Sequence, residues 1–340
     1  MPAATTALDP RWYGDPAVYQ RERAAVWARE WLVFAPADRL DRPGRYVADM
    51  VAGWPLFVVV APDGNLHGFH NVCAHRGGPI LWDGAGSCGN LVCRYHGWAY
   101  NWDGSLRNAR DFGDIPAIDA DALGLAAIRV QRWRNLVWVC LDADAPPLAT
   151  ALGSFPDQCA EFPMEEFRFT HEQTRTLVCN WKTYADNYLE GYHIPIVHPE
   201  LNREIDVREY RVEVFEPDGY CLHTAPARDG AINRGRWLFR YPNLALNVYG
   251  HGMNVERIIP DGPDRTLVVY QFFWADPDNL ANEEAVKISA VTLDQDQAIC
   301  EAVQRNLDAG AYRAGPLSGR HEAGVGWFQD RIRRAVGEGD

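Results

Sequence analysis

Cys73-Ala74-His75-Arg76-Gly77 and, further along, Cys93-Arg94-Tyr95-His96-Gly97-Trp98 are the two stretches that decide how this chain is read. Each brings a cysteine and a histidine together next to a glycine. Two such pairs converge on a metal if each sits on a loop of a β scaffold. A [2Fe–2S] cluster with two thiolates on one iron and two imidazoles on the other needs this set. Gly77 and Gly97 let the backbone turn tightly beneath it. A tetrahedral Cys₂His₂ zinc site uses the same ligand types, but such sites usually pair Cys with Cys and His with His, whereas here the order alternates. Cys88, between the two stretches, reads as a small buried apolar group rather than a ligand.

Working outward, the surrounding residues read as a small all-β domain. Leu56–Val60, Leu91–Cys93 and Leu136–Leu141 are strand-like, with turn signals at Asp63-Gly64, Asp83-Gly84 and Asp103-Gly104. Ala143 to Pro147 reads as an exit linker. Beyond it, Asn180 to Tyr192 carries a helical stripe of Trp181, Tyr184, Tyr188 and Tyr192. Strand-like runs follow at Arg211–Phe215, Trp237–Tyr241, Val255–Ile259 and Thr266–Trp274, then a long helix over Asn282 to Asp308. Strands followed by a long helix predict helices packed on an antiparallel sheet, so the fold class is α+β. The expected divisions are 1–40 (an N-terminal helical segment packed on the catalytic domain), 41–155 (the cluster domain) and 156–340 (the catalytic domain).

A second constellation lies in Asp186-Asn187-Tyr188-Leu189-Glu190-Gly191-Tyr192-His193, continuing to His198-Pro199. Helical spacing places Asp186, Glu190 and His193 on one face, and Pro195 ends the helix. Two histidines need a carboxylate to complete the facial triad of non-haem Fe(II) oxygenases. Asp296 offers it. It is the polar member of an otherwise apolar stripe of Ile299, Cys300, Val303 and Leu307, and a buried carboxylate is costly unless paired or metal-bound. Asp294 falls on a different, solvated face.

The two Cys-His boxes resemble those of Rieske [2Fe–2S] proteins. The extra cysteines of respiratory members are missing, and Trp98 stands where a hydroxyl residue could donate to the cluster. Fewer donors to sulfur favour a lower potential. Asn180-Trp181-Lys182, the DNYLEGYHIPIVHP run and the Asp296–Gln304 segment resemble the catalytic domain of Rieske oxygenase α subunits. That resemblance implies a helix-grip-like catalytic domain beside the small all-β Rieske domain. It implies that Cys73, His75, Cys93 and His96 hold the cluster and that His193, His198 and Asp296 hold Fe²⁺. Glu190 matches the acid that bridges a cluster histidine of one subunit to an iron-binding histidine of its neighbour, which implies a ring, expected to be a homotrimer. The short motif with Glu at the bridge resembles the branch acting on choline, carnitine, glycine betaine and stachydrine. The implied activity is O₂-dependent monooxygenation or N-demethylation of a methylated amine. Electrons come from NAD(P)H through a separate ferredoxin or flavin reductase. Aromatic ring hydroxylation and a non-enzymatic Rieske electron carrier are the competing readings.

Asn187, Tyr188, Asn247 and Tyr249 are the candidate substrate-pocket residues. Trp237, Phe239 and Tyr241 share one strand face, as do Tyr270, Phe272 and Trp274; sheet core is the expected role of both sets, an aromatic cage for an ammonium group the other. Arg107, Arg110, Arg129, Arg132 and Arg134 make the small domain locally basic, either to dock an acidic redox partner or as a solvated face. The chain has 340 residues, 47% apolar and 23% charged, with a net charge of −13. That composition is ordinary for a globular protein and argues against a nucleic-acid partner. The longest apolar stretch is far short of a membrane span, and the start lacks the features of a signal peptide. The expected location is cytoplasmic, with the eight cysteines mostly reduced.

Overall fold

A computed structural model of the chain describes residues 6–113, 122–226 and 235–337. They form two compact units: residues 33–148, and the residues up to Leu32 together with those from 149 onward. The N-terminal segment belongs to the larger unit because its aromatic side chains are buried there. Trp27 meets Trp181 edge-on with ring centres 5.0 Å apart. Lys182 Nζ lies 2.6 Å from Glu22 Oε1 with both side chains fully buried, and Trp181 Nε1 donates to Glu22 Oε2. The N-terminal helical segment contains a helix over Pro16–Glu22, because Asp15 caps it by accepting from Ala17 N and Pro suits a first helical position. It gives way to a wider turn over Arg23–Trp27.

In the smaller unit seven strands form one sheet, in the order Leu32–Pro36, Leu136–Cys140, Ala127–Trp133, Leu66–His70, Trp54–Val60, Arg45–Val51 and Gly84–Ser87. The apolar runs Leu56–Val60 and Leu136–Cys140 are buried throughout, which is why they show no polar alternation. Gly64, Gly84 and Gly104 all take positive φ at the expected turns. A three-stranded sheet of Leu91–Val92, Ala99–Tyr100 and Leu106–Asn108 stands beside them. Two of the five arginines bond the backbone: Arg129 donates to the carbonyls of Ala143 and Ala145, and Arg132 to that of Arg134; Arg110 pairs with Asp111.

In the larger unit a seven-stranded antiparallel sheet runs in the order Arg168–Leu177, Thr266–Trp274, Gly252–Pro260, Leu244–Tyr249, Gly235–Arg240, Tyr220–Thr224 and Arg211–Phe215. Its last six strands form a simple meander. Leu244–Tyr249, unassigned in the sequence reading, is an inner strand between Gly235–Arg240 and Gly252–Pro260. Because it is buried almost throughout, it carries no turn signal or polar alternation to mark it.

The helix expected from Asn180 to Tyr192 is shorter, Trp181–Tyr188, capped by the Asn180 side chain. Glu190 and His193 therefore lie beyond its end and do not share a helix face with Asp186. The cause is local: the Glu190 carboxylate accepts from the backbone N–H groups of Tyr192 and His193, which replaces helical bonding with a side-chain turn. The long helix spans Ala281–Asp308, and its buried line is Leu293, Asp296, Cys300 and Gln304. Ile299 and Val303, read from the sequence as part of that stripe, are about two-fifths exposed (39% and 40%). Gln304 is buried instead because its amide is fully used, with Oε1 accepting from Asn180 N and Nε2 donating to Tyr13 O and Asp308. A further helix, Ala323–Val336, closes the unit. Among the described residues no helix is long and apolar enough to cross a membrane.

Candidate active site

The two Cys-His loops of the smaller unit are built alike. Cys73 N donates to Gly78 O and Gly77 N to Cys73 O; Cys93 N donates to Trp98 O and Gly97 N to Cys93 O. Gly77 and Gly97 have φ of 71° and 76°, in the left-handed region that glycine enters at no steric cost. Cys73 and Cys93 are buried, and the rings of His75 and His96 lie with centres 4.7 Å apart. His75 Nδ1 is buried without any hydrogen-bond partner, a cost that a metal–nitrogen bond removes. A β-carbon on Gly78 would stand 2.9 Å from Cys93 Sγ, so the floor of the pocket has no room for a side chain. This donor set fits a two-iron cluster. The hydroxyl donor absent at position 98 comes from Tyr100, whose OH lies 3.0 Å from Cys73 Sγ. His96 is exposed, as is its neighbour Tyr95 (57% accessible); Trp82, in the same unit, is 62% accessible. Cys88 packs at the edge of the core of this unit.

In the larger unit, His193, His198 and Asp296 meet. His198 Nε2 is 3.1 Å from His193 Nε2 and 3.0 Å from Asp296 Oδ1, and His193 Nε2 is 3.8 Å from the same oxygen. Ligands about 2.1 Å from a common ion and near right angles lie about 3.0 Å apart; the two spacings at His198 Nε2 match that value, and the His193–Asp296 pair stands wider. The opposite ring nitrogens are occupied: His193 Nδ1 by Glu190 Oε1 at 2.5 Å and His198 Nδ1 by Gln295 Oε1 at 2.7 Å. Each acceptor holds the N–H on Nδ1 and leaves the Nε2 lone pair facing inward. Asn187 Nδ2 donates to Asp296 Oδ1 at 2.7 Å. Gly191 lets the turn through, since a β-carbon there would meet the Tyr210 ring at 2.6 Å. Asp294 is exposed and pairs with Arg175. Asp186 accepts from Tyr13 OH and Gln329 Nε2 and serves the packing behind the site.

The trio opens into a cavity of about 590 Å³, of the size that small-molecule sites take. Asn187, Tyr188, Asn247 and Tyr249 all line it. So do Trp237, Tyr270, Phe272 and Trp274, expected from the sequence to be sheet core; Phe239 and Tyr241 are buried in that core. Register explains the aromatic wall. Tyr270, Phe272 and Trp274 stand opposite Glu256, Asn254 and Gly252, which in turn face Ala245, Asn247 and Tyr249, so all project from one sheet face. Ring centres step along it at 6.2, 6.2, 5.9 and 5.9 Å through Tyr270, Phe272, Trp274, His251 and Tyr249. Gln295 and Glu256 are the residues the sequence reading missed. The alternation Met253-Asn254-Val255-Glu256 in an apolar strand was the available signal for Glu256; for Gln295 it was adjacency to Asp296.

The chain belongs to the family of ring-hydroxylating alpha subunits: the model of their catalytic domain matches residues 164–338, and that of the Rieske [2Fe–2S] domain matches residues 30–119. It is an oxidoreductase whose cofactors are a [2Fe–2S] cluster and a catalytic non-haem iron. It is 30% identical to choline monooxygenase of Beta vulgaris over 95% of this chain and 76% of that protein. With the glycine betaine monooxygenase oxygenase subunit of Chromohalobacter salexigens it shares 27% identity over 96% of this chain and 86% of that one. The crystal structure of the quaternary ammonium Rieske monooxygenase CntA with an inhibitor superposes with a TM-score of 0.91 at 24% identity, covering 98% of this chain and 96% of the other. At that identity the likeness is one of fold.

Proposed function

We propose that this chain is the oxygenase component of a system that hydroxylates a small quaternary or methylated amine, with His193, His198 and Asp296 as the iron ligands and Cys73, His75, Cys93 and His96 as the cluster ligands. The observation that carries the reading is the inward-facing trio at the floor of an aromatic-walled cavity, with both outer imidazole nitrogens already bonded. When bound, the iron supplies O₂ activation and the cluster supplies electrons one at a time. The chain's own residues do the rest. Glu190 and Gln295 fix the imidazole tautomers, Asn187 holds the Asp296 carboxylate in place, and the aromatic wall receives the substrate and keeps water away from it.

Glu190 also serves as the link to a cluster histidine, His96, of a neighbouring chain in a homotrimer. Two features support this role: the exposed imidazole of His96 next to the exposed Tyr95, and the exposed Tyr192 and Ile196 close to Glu190 in sequence. A separate ferredoxin or flavin reductase fed by NAD(P)H supplies the electrons. The test is reconstitution with a reductase. About three irons per chain are expected, two in the cluster and one at the trio, with formaldehyde or aldehyde released from methylated amines. His193→Ala is expected to keep the cluster absorption and lose turnover; full turnover in that variant refutes the assignment, and cis-diol formation from arenes in place of amine oxidation refutes the substrate class.

A further inference from the structure

Glu256 is 3% exposed on the cavity face of the sheet. Its Oε1 accepts from Asn247 Nδ2 at 3.1 Å and its Oε2 from Tyr184 OH at 2.9 Å. Tyr184 OH touches Tyr270 OH at 3.1 Å, and Asn247 Oδ1 accepts from Tyr188 OH at 2.7 Å. This network fixes the carboxylate in the wall from which Tyr270, Phe272 and Trp274 also project. Among the described residues no cation is bonded to it, and burial pushes its carboxyl up to about 7. A carboxylate held in an apolar cavity without a counter-charge is costly. A ligand cation beside it removes that cost, and the aromatic faces add their own attraction for a quaternary ammonium. The same cavity is lined by Glu204, Asp276, Glu284 and Asp296. Among the described residues no lysine or arginine lines it.

We propose that Glu256 sets the charge selectivity of this cavity: it takes monocationic methylammonium compounds whose far end is uncharged, such as an ammonium alcohol, and disfavours zwitterions that carry a carboxylate. The inference rests on the amine-oxidising reading above and narrows it. Glu256 is a specificity-determining residue that acts through its charge. The trimethylammonium head lies against the aromatic wall, and its charge balances Glu256. A substrate carboxylate placed away from the iron meets Glu204, Asp276, Glu284 and Glu256 and, among the described lining residues, no lysine or arginine, which raises the energy of the complex.

The test uses the reconstituted holoenzyme with its reductase and four compounds: choline, its neutral carbon isostere dimethylbutanol, glycine betaine and carnitine. Wild-type kcat/KM for choline is expected to exceed that for the other three by about tenfold or more. Glu256→Gln keeps the side-chain volume and removes the charge. It is expected to bring choline and dimethylbutanol to within about threefold of each other, mainly through KM, while Glu256→Asp keeps the cation preference. Calorimetric titration of the same proteins without reductase reads the same change in Kd independently of turnover. An unchanged choline-to-isostere ratio in a folded Glu256→Gln variant overturns the proposal, as does a wild-type preference for glycine betaine or carnitine. If Glu256→Gln does not fold, the wild-type panel alone decides. Preference for a zwitterion leaves the amine-oxidising reading intact; failure to oxidise any of the methylammonium compounds overturns that reading and this one together.

Discussion

Replacing Gln295 with leucine is the most informative single change at the iron site. Gln295 Oε1 lies 2.7 Å from His198 Nδ1, and His198 is 3% exposed. A neutral imidazole carries one N–H. With that proton held toward Gln295, Nε2 presents its lone pair 3.0 Å from Asp296 Oδ1. Leucine has nearly the same volume and no acceptor. The buried N–H then loses its partner, at a cost of about 1–3 kcal/mol. Loss of such outer partners lowers metal affinity about 10- to 100-fold, equivalent to about 1.4–2.7 kcal/mol. The two routes agree, so Gln295→Leu is expected to weaken Fe(II) binding by one to two orders of magnitude. Competition with a chromophoric chelator measures it. The cluster absorption of the same sample is an internal control, because its proposed ligands belong to the other unit. Gln295→Glu retains an acceptor and is expected to retain iron. An affinity in Gln295→Leu within about twofold of wild type refutes the reasoning, since the expected loss is at least about tenfold.

Three further outcomes follow from the packing behind the site. Lys182→Met strands the buried Glu22 carboxylate, 2.6 Å from the lost ammonium, and is expected to cost about 3–5 kcal/mol; the double variant with Glu22→Gln recovers much of it, as read by urea denaturation. Gly252→Ala sets a β-carbon 2.4 Å from the Trp274 ring and 2.5 Å from the Phe273 carbonyl oxygen. Backbone cannot yield cheaply, so a loss of about 1–3 kcal/mol and a raised substrate KM are expected from thermal melts and kinetics. Burial pushes the Asp186 carboxyl up from 3.8 to about 7. Its folded form therefore keeps a proton that the unfolded chain gives up, so its stabilising contribution is full below about pH 4 and drains away as pH rises through 7. Asp186→Asn is expected to flatten the stability profile in that window, and an unchanged slope refutes the assignment.

The two loops were legible because each is a contiguous turn that carries its own Cys-His pair and its own glycine. Asp296 was legible because a carboxylate in a helical stripe stands out, although its true buried companions are Leu293, Cys300 and Gln304. Gln295 and Glu256 were not, because their partners are remote: His198 lies 97 positions from Gln295, and Tyr184 lies 72 from Glu256. The helical reading of Glu190 and His193 failed through a short-range competitor, since the Glu190 carboxylate takes the N–H groups a longer helix would use. Trp237, Tyr270, Phe272 and Trp274 were read as core because an aromatic strand face looks the same whether it meets side chains or a substrate. Only the cavity that the assembled sheet leaves open separates them, and that is a property of the tertiary structure.

His198 and Asp296 stand 98 positions apart in the chain. An ion held by both would be a removable cross-link over that long loop: it lowers the entropy of the unfolded chain, so its release costs the folded unit stability. Iron bound there would therefore support the fold of the larger unit as well as its chemistry.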